Sequence, residues 1–299
     1  MTSCVSRTTS VGPTNSVRID ELLAAGPTRS FEFFPPKSDE ESAILAASLE
    51  DIKPLAPSFV SVTYRGGRES RLRTYDLVTQ IERDGYVTAM AHVICVGHTR
   101  AEMRDLLKNY ADAGVSNIMA LGGDIPKDPL AAHSEFEHAI DLIDVAREMG
   151  DFSVGVAAHP AGHPRSPDLA SDRRYLAEKL ALADFAVTQF FFDASQWTRL
   201  VAELAELGVS KPVLPGIMPV TTITGIDRMK TMGAAVPPAL VQRLVAADER
   251  GGPSEVRAEG IRAAIALCRE LLDENAPGLH FYTLNRSTAT SEIYQALFE

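Results

Sequence analysis

Phe31-Glu32-Phe33-Phe34-Pro35-Pro36-Lys37 places one carboxylate inside an aromatic strand and stops that strand with two prolines. Proline has no amide proton for a ladder, so the chain must turn outward after Phe34. The apolar neighbours are expected to desolvate Glu32 and favour its protonated form, as a general acid working near neutral pH requires. The plainer alternative is a strand-edge glutamate reaching solvent.

Further β-rich runs follow this one, with helical patterns between them. The expected strands are 30–33, 59–63, 87–94, 117–121, 153–158, 185–191, 213–217 and 279–284. The first seven start roughly 30 residues apart, the length of one βα unit. The last interval is about twice as long, and two or three helical segments are expected in it between Thr222 and Asn275. Ser38-Asp39-Glu40-Glu41 and Thr99-Arg100-Ala101-Glu102 read as capping boxes, and Gly85 and Gly114 follow helical runs as C-terminal caps. Leu176, Leu180 and Ala183 share helical spacing, as do Leu200, Leu204 and Leu207. Eight alternating units predict an α/β fold, a single (β/α)8 TIM barrel over residues 17–299 with extra helices between strands 7 and 8. An open doubly wound sheet is the alternative. No GxGxxG or GxxxxGK[ST] loop follows any strand, so its usual nucleotide signatures are missing.

The composition agrees with one globular domain. Of 299 residues, 45% are apolar and 23% charged, enough for a large core. A net charge of -11 argues against a nucleic-acid surface. No apolar run approaches a membrane span. Residues 1–16 are rich in Ser and Thr without an apolar signal region, and are expected to be a mobile tail. Cys4, Cys95 and Cys268 are odd in number and widely spaced. They suggest a reduced cytoplasmic chain without a disulfide framework or CxxC zinc site. Whether the chain forms a homo-oligomer is left open.

Barrel chemistry sits at the C-terminal ends of the strands. Glu32, Thr63, His92, Asp124, His159, Gln189, Asn285 and Arg286 all fall at or near those ends. Each has a bland counterpart. Asp124 after Gly122-Gly123 could be an Asx turn or helix cap. His159 and His163 are four apart, but the prolines and glycine between and around them rule out a regular helix, and no complete metal-ligand set is visible. No metal is therefore expected. Phe190-Phe191-Phe192 reads as core before it reads as a stacking platform. The Gln189 amide offers a donor and an acceptor, which suits a pterin edge. The Arg286 guanidinium suits a ligand carboxylate, or a surface ion pair.

These residues, with Phe59-Val60-Ser61-Val62-Thr63-Tyr64, Gly123-Asp124, Thr188-Gln189-Phe190-Phe191-Phe192-Asp193, Pro215-Gly216-Ile217-Met218-Pro219-Val220 and Phe281-Tyr282-Thr283-Leu284-Asn285-Arg286, resemble the methylenetetrahydrofolate reductase family. The likeness runs in order from about residue 30 to the C-terminus. It implies a (β/α)8 barrel that reduces 5,10-methylenetetrahydrofolate to 5-methyltetrahydrofolate with NADH or NADPH, usually through bound FAD. On that likeness Glu32 matches the catalytic acid, Asp124 the carboxylate near flavin and pterin, Gln189 the pterin amide and Arg286 a folate-binding arginine. Thr63, His92, His163, Asp172 and Lys179 match flavin-contacting positions.

The departures fall mainly on the flavin side. The family's Arg-Gly-Asp after strand 4 is Gly122-Gly123-Asp124 here, and its aromatic-Pro-Glu after strand 5 is His159-Pro160-Ala161. Tyr175 stands for a flavin-facing Asn and Gly225 for a folate-contacting Gln, and one residue is missing between Lys179 and Gln189. Each lost charge-assisted contact removes about 1.5–3 kcal/mol, so several would weaken FAD binding by orders of magnitude. The expectation is a flavin-independent member in which His159 or Tyr175 takes up space that FAD would fill. The same reaction through FAD, a metal-dependent hydrolase using His92, His159 and His163, and a folate-binding relic without turnover are the rivals.

Overall fold

The computed structural model describes residues 16–64, 68–124 and 134–299. The N-terminal stretch apart from Ser16, with Cys4, lies outside the described residues. Every strand pair is parallel, and the sheet runs β7-β6-β5-β4-β3-β2-β1-β9-β8. The strands are β1 (Thr28–Phe33), β2 (Phe59–Val62), β3 (Thr88–Ile94), β4 (Asn117–Leu121), β5 (Ser153–Ala158), β6 (Phe185–Thr188), β7 (Val213–Leu214), β8 (Gly216–Ile217) and β9 (Gly278–Tyr282). The expected (β/α)8 barrel is present, with the seventh strand in two pieces.

Pro215 makes that division, because it has no N–H to donate. β7 pairs with β6, and β8 then pairs with β9. The two short pieces together bring the barrel almost to closure. Gly216 permits the step. A Cβ there would stand 2.3 Å from the Thr188 carbonyl oxygen and 2.6 Å from the Tyr282 ring.

Helices α2 (Asp39–Ile52), α3 (Arg68–Asp84), α4 (Arg100–Asp112), α5 (Ala139–Met149), α6 (Leu169–Leu182) and α7 (Ala194–Glu206) alternate with the strands; α1 (Ile19–Ala25) precedes β1. The long last interval holds three helices, α8 (Ile223–Met232), α9 (Pro238–Gly251) and α10 (Pro253–Asp273), and α11 (Thr288–Phe298) follows β9. Thr99 and Glu102 form a complete capping box. At Ser38 the box is half made: its hydroxyl accepts the Glu41 N–H, but the Glu41 carboxylate reaches the Lys37 N–H one residue earlier. Gly85 and Gly114 have φ of 69° and 85°, the left-handed cap conformation.

Successive strand residues face opposite sides, and this sorts the core into two layers. Phe31, Phe33, Val60, Val62 and Phe281 pack outward against the helices. Phe59, Met90, Met119, Phe185, Val187 and Leu214 fill the barrel, and Ile19 of α1 joins them from the N-terminal end. The Ile19 N–H donates to Asn117 Oδ1 at 2.8 Å, which ties α1 across that end. The opposite, C-terminal end stays open. No described helix is long and apolar enough to cross a membrane.

Candidate active site

Above the Phe59–Leu214 layer lies a cavity of about 260 Å³ with a mainly apolar lining, into which Glu32, Thr63, His92, His159, Gln189 and Tyr282 bring polar groups. Glu32 projects into it because its neighbours Phe31 and Phe33 point the other way. The carboxylate is 8% exposed. Its surroundings are not the apolar ones that the flanking phenylalanines suggested. Oε2 lies 3.3 Å from His92 Nε2, 3.5 Å from His280 Nε2 and 3.5 Å from Ser61 Oγ. Alternation explains the difference, since the rings that adjoin Glu32 in sequence adjoin the helices in space.

His280 was missed by the sequence reading. It is fully buried, and its Nδ1 sits 2.8 Å from Ser30 Oγ. Ser30, His280 and Glu32 therefore form one buried polar row. The signal that could have found it is register: Ser30 pairs with His280, and Glu32 with Tyr282. Tyr282, also missed, lines the cavity and donates to the Thr188 carbonyl at 2.7 Å. Burial, and then the nearby Glu32 carboxylate, hold its phenol well above the ordinary value, so it stays protonated.

Two buried polar atoms of the lining lack a hydrogen-bond partner, Thr63 Oγ1 and His92 Nε2. The His92–Glu32 approach is close but not aligned as a hydrogen bond. Val62 pairs with Ala91, and continuing that register sets Thr63 beside His92. Burial is the main cause lowering the His92 pKa; Glu32 opposes it and His280 adds to it. The imidazole is thus neutral. Buried polar groups are normally satisfied, so an orphan pair in a cavity marks a place for a polar ligand edge.

Gln189 lies one residue past β6 and lines the cavity. Its Nε2 donates to the Met232 carbonyl at the end of α8, and its Oε1 accepts the Phe190 N–H, both at 3.0 Å. One N–H and one lone pair of the amide remain for a ligand. Phe190 is buried in a second core under α8 and α9 and also touches the cavity, whereas Phe191 packs outward.

The other expected residues lie at or beyond the rim. Asp124 is exposed after β4, outside the cavity lining. Arg286 is exposed after β9. His159 lines the cavity, and its ring meets that of His163 edge-on at 4.7 Å. Burial, then the neighbouring His163, push the His159 pKa down to about 4. Asp172 does not face the cavity. Its Oδ1 accepts from the His163 N–H and Ser166 Oγ, both at 2.9 Å, and its Oδ2 from Arg173. Arg173 also holds the His159 and Pro160 carbonyls and Glu203, which locks the loop between β5 and α6. Lys179 donates to the Ala157 carbonyl at 3.0 Å. Tyr175 is 51% exposed on α6 and away from the lining. Among the described residues no group of three or more His, Cys, Asp or Glu is arranged to hold a metal ion.

A family model for methylenetetrahydrofolate reductase matches residues 18–298. The 5,10-methylenetetrahydrofolate reductases of Pectobacterium carotovorum and Escherichia coli are each 32% identical over 270 residues, covering 90% of this chain and 89% and 90% of theirs. Among solved structures, an uncharacterized protein from Clostridium thermocellum that binds two copies of 5-methyl-5,6,7,8-tetrahydrofolic acid superposes with a TM-score of 0.65 at 13% identity, covering 93% of this chain and 96% of that one. With a matched model over nearly its whole length and relatives at this identity and coverage, the chain belongs to the methylenetetrahydrofolate reductase family.

Proposed function

We propose that this reductase takes its hydride directly from NADH or NADPH, without flavin. The observation that carries the reading is the internal use of Asp172 and Lys179, two of the residues whose family counterparts touch FAD. The Asp172 oxygens are engaged by three donors and Lys179 is spent on a main-chain carbonyl, whereas Tyr175, exposed and away from the lining, does not take up the space expected of it. His159, with His163 edge-on against it, lines the cavity. In this reading the Asp172 and Lys179 contacts are not offered to FAD, and no step is routed through it.

In this reading Glu32 protonates a nitrogen of the substrate's five-membered ring. The carbon–nitrogen bond breaks with its electrons on that nitrogen, and an iminium forms at the other. Hydride from the dihydronicotinamide then reduces the iminium carbon to a methyl group, and NAD(P)+ leaves. The buried Ser30–His280 pair orients the Glu32 carboxylate. Gln189 holds the pterin with its free N–H and lone pair. Asp124 on the rim stabilises the cation as it develops, and Arg286 holds the folate carboxylate. Thr63 and the neutral His92 supply the polar edge that orients the hydride donor.

The test is oxidation of NADH by flavin-stripped protein supplied with 5,10-methylenetetrahydrofolate. Steady oxidation supports both the reaction and direct transfer. Activity that returns only with FAD restores the flavoenzyme, and folate binding without turnover under either condition favours a relic.

A further inference from the structure

Leu284 and Asn285, which follow β9, both have left-handed backbones, with φ of 51° and 60°. Asparagine enters that region readily. Leucine does not, and persists there only where its surroundings over-determine it. The turn brings the Leu284 side chain to the cavity wall, opposite no ladder of its own. It also lays the Asn285 amide along the main chain of Phe34. Oδ1 accepts the Phe34 N–H at 2.7 Å, and Nδ2 donates to the Phe34 carbonyl at 2.9 Å. Only one orientation of the amide satisfies both partners.

This side chain replaces strand pairing at the point where β1 ends and Pro35 would otherwise leave the chain unsupported. The turn is itself anchored. Ser48 Oγ of α2 donates to the Asn285 carbonyl at 2.8 Å, and the Asn285 N–H donates to Thr283 Oγ1 at 3.0 Å. The same Thr283 hydroxyl donates to the Glu32 carbonyl at 2.6 Å. Glu32 and Phe34, both facing the cavity, are thus held by one strained turn that follows the neighbouring strand.

We infer that Asn285 is a positioning residue, acting through the Phe34 main chain to hold the Glu32 carboxylate in line with the reacting nitrogen. The inference rests on the reductase reading of the cavity, in which Glu32 supplies the proton. A strained leucine beside a doubly bonded amide is more than packing needs, whereas proton transfer needs alignment to a fraction of an ångström.

Asn285→Gly isolates the effect, because glycine keeps the left-handed backbone and removes only the clamp. The expected variant folds with a lowered melting midpoint and keeps its folate KM within about twofold, while kcat falls about tenfold or more. Asn285→Asp keeps the acceptor for the Phe34 N–H but sets an anionic oxygen against the Phe34 carbonyl, so its kcat should fall as well. Wild-type kcat in the glycine variant overturns the inference. If that variant fails to fold, a folded aspartate variant decides: reduced kcat at unchanged folate KM supports the inference, and full kcat overturns it. Wild-type protein that cannot reduce methylenetetrahydrofolate at all overturns the reductase reading, and this inference with it.

Discussion

Glu32 has two imidazoles and a hydroxyl around it, yet among the described residues it is the one carboxylate lining the cavity. Glu32→Gln keeps its shape and removes the transferable proton. Turnover should fall by about 10²–10⁴-fold while folate affinity, read by calorimetric titration, changes little. Surviving turnover would move the proton to another donor. Thr63→Val should act in opposite directions on stability and function. The hydroxyl is buried without a partner, so removing it should leave the melting midpoint unchanged or raise stability by up to about 1 kcal/mol. The KM for the hydride donor should nevertheless rise about tenfold, the value of one lost hydrogen bond. A fall in stability with unchanged KM would show that the hydroxyl serves the fold. Glu32, Thr63, His92 and Gln189 were legible in the sequence because each stands at a strand end where polar residues are otherwise rare. His280 was not, because a histidine between Leu279 and Phe281 reads as strand filling until register sets it beside Ser30. The use of Asp172 was hidden for a similar reason: nothing in the order of residues says that Arg173, next to it, binds it.

Most strands and helices could be placed from period and caps, and the misplacements have local causes. The expected 185–191 strand ends at Thr188, where Gln189 turns its amide on the next N–H. Leu207 shares a spacing with Leu200 and Leu204, but it falls just past α7 and stays exposed. Helix α10 gives a test of how tightly the added helices bear on the site. Gly260 lies in its interior, where alanine normally stabilises a helix by about 1 kcal/mol. A Cβ at this glycine would stand 1.8 Å from the Val220 carbonyl oxygen, in the segment that follows β8. Backbone cannot yield as a flexible side chain can, so Gly260→Ala should destabilise by about 1–3 kcal/mol in denaturant titration. A stabilised variant would mean that α10 slides freely over that segment.

The barrel itself was the most legible feature, since a repeat of βα units constrains closure more than any single residue does. Its charge balance was legible too, but not the pH response, which depends on burial. His92, His98, His159 and His163 all have depressed pKa values, with burial the leading cause in each. A histidine whose native pKa is lowered binds fewer protons folded than unfolded. Its contribution to stability is therefore present above the unfolded value and is lost as pH falls towards the native one. For His159 the window runs from the ordinary value of 6.5 down to about 4. Glu82 works against this, because burial raises its pKa and favours the protonated form on folding. The four imidazoles oppose Glu82, and Glu102, Glu203 and Glu259, whose pKa values are lowered, act with the imidazoles towards the acid end, so stability falls on acidification through that window. His159→Gln should flatten the slope, since glutamine keeps a polar side chain that does not titrate. The groups facing His159, namely His163, Asp172, Lys179 and Arg173, are unchanged in sequence in that variant. Denaturant midpoints measured across the window for both proteins decide the matter. Parallel curves would mean that His159 titrates alike in the folded and unfolded chain, and that the locked loop between β5 and α6 does not shield it from water.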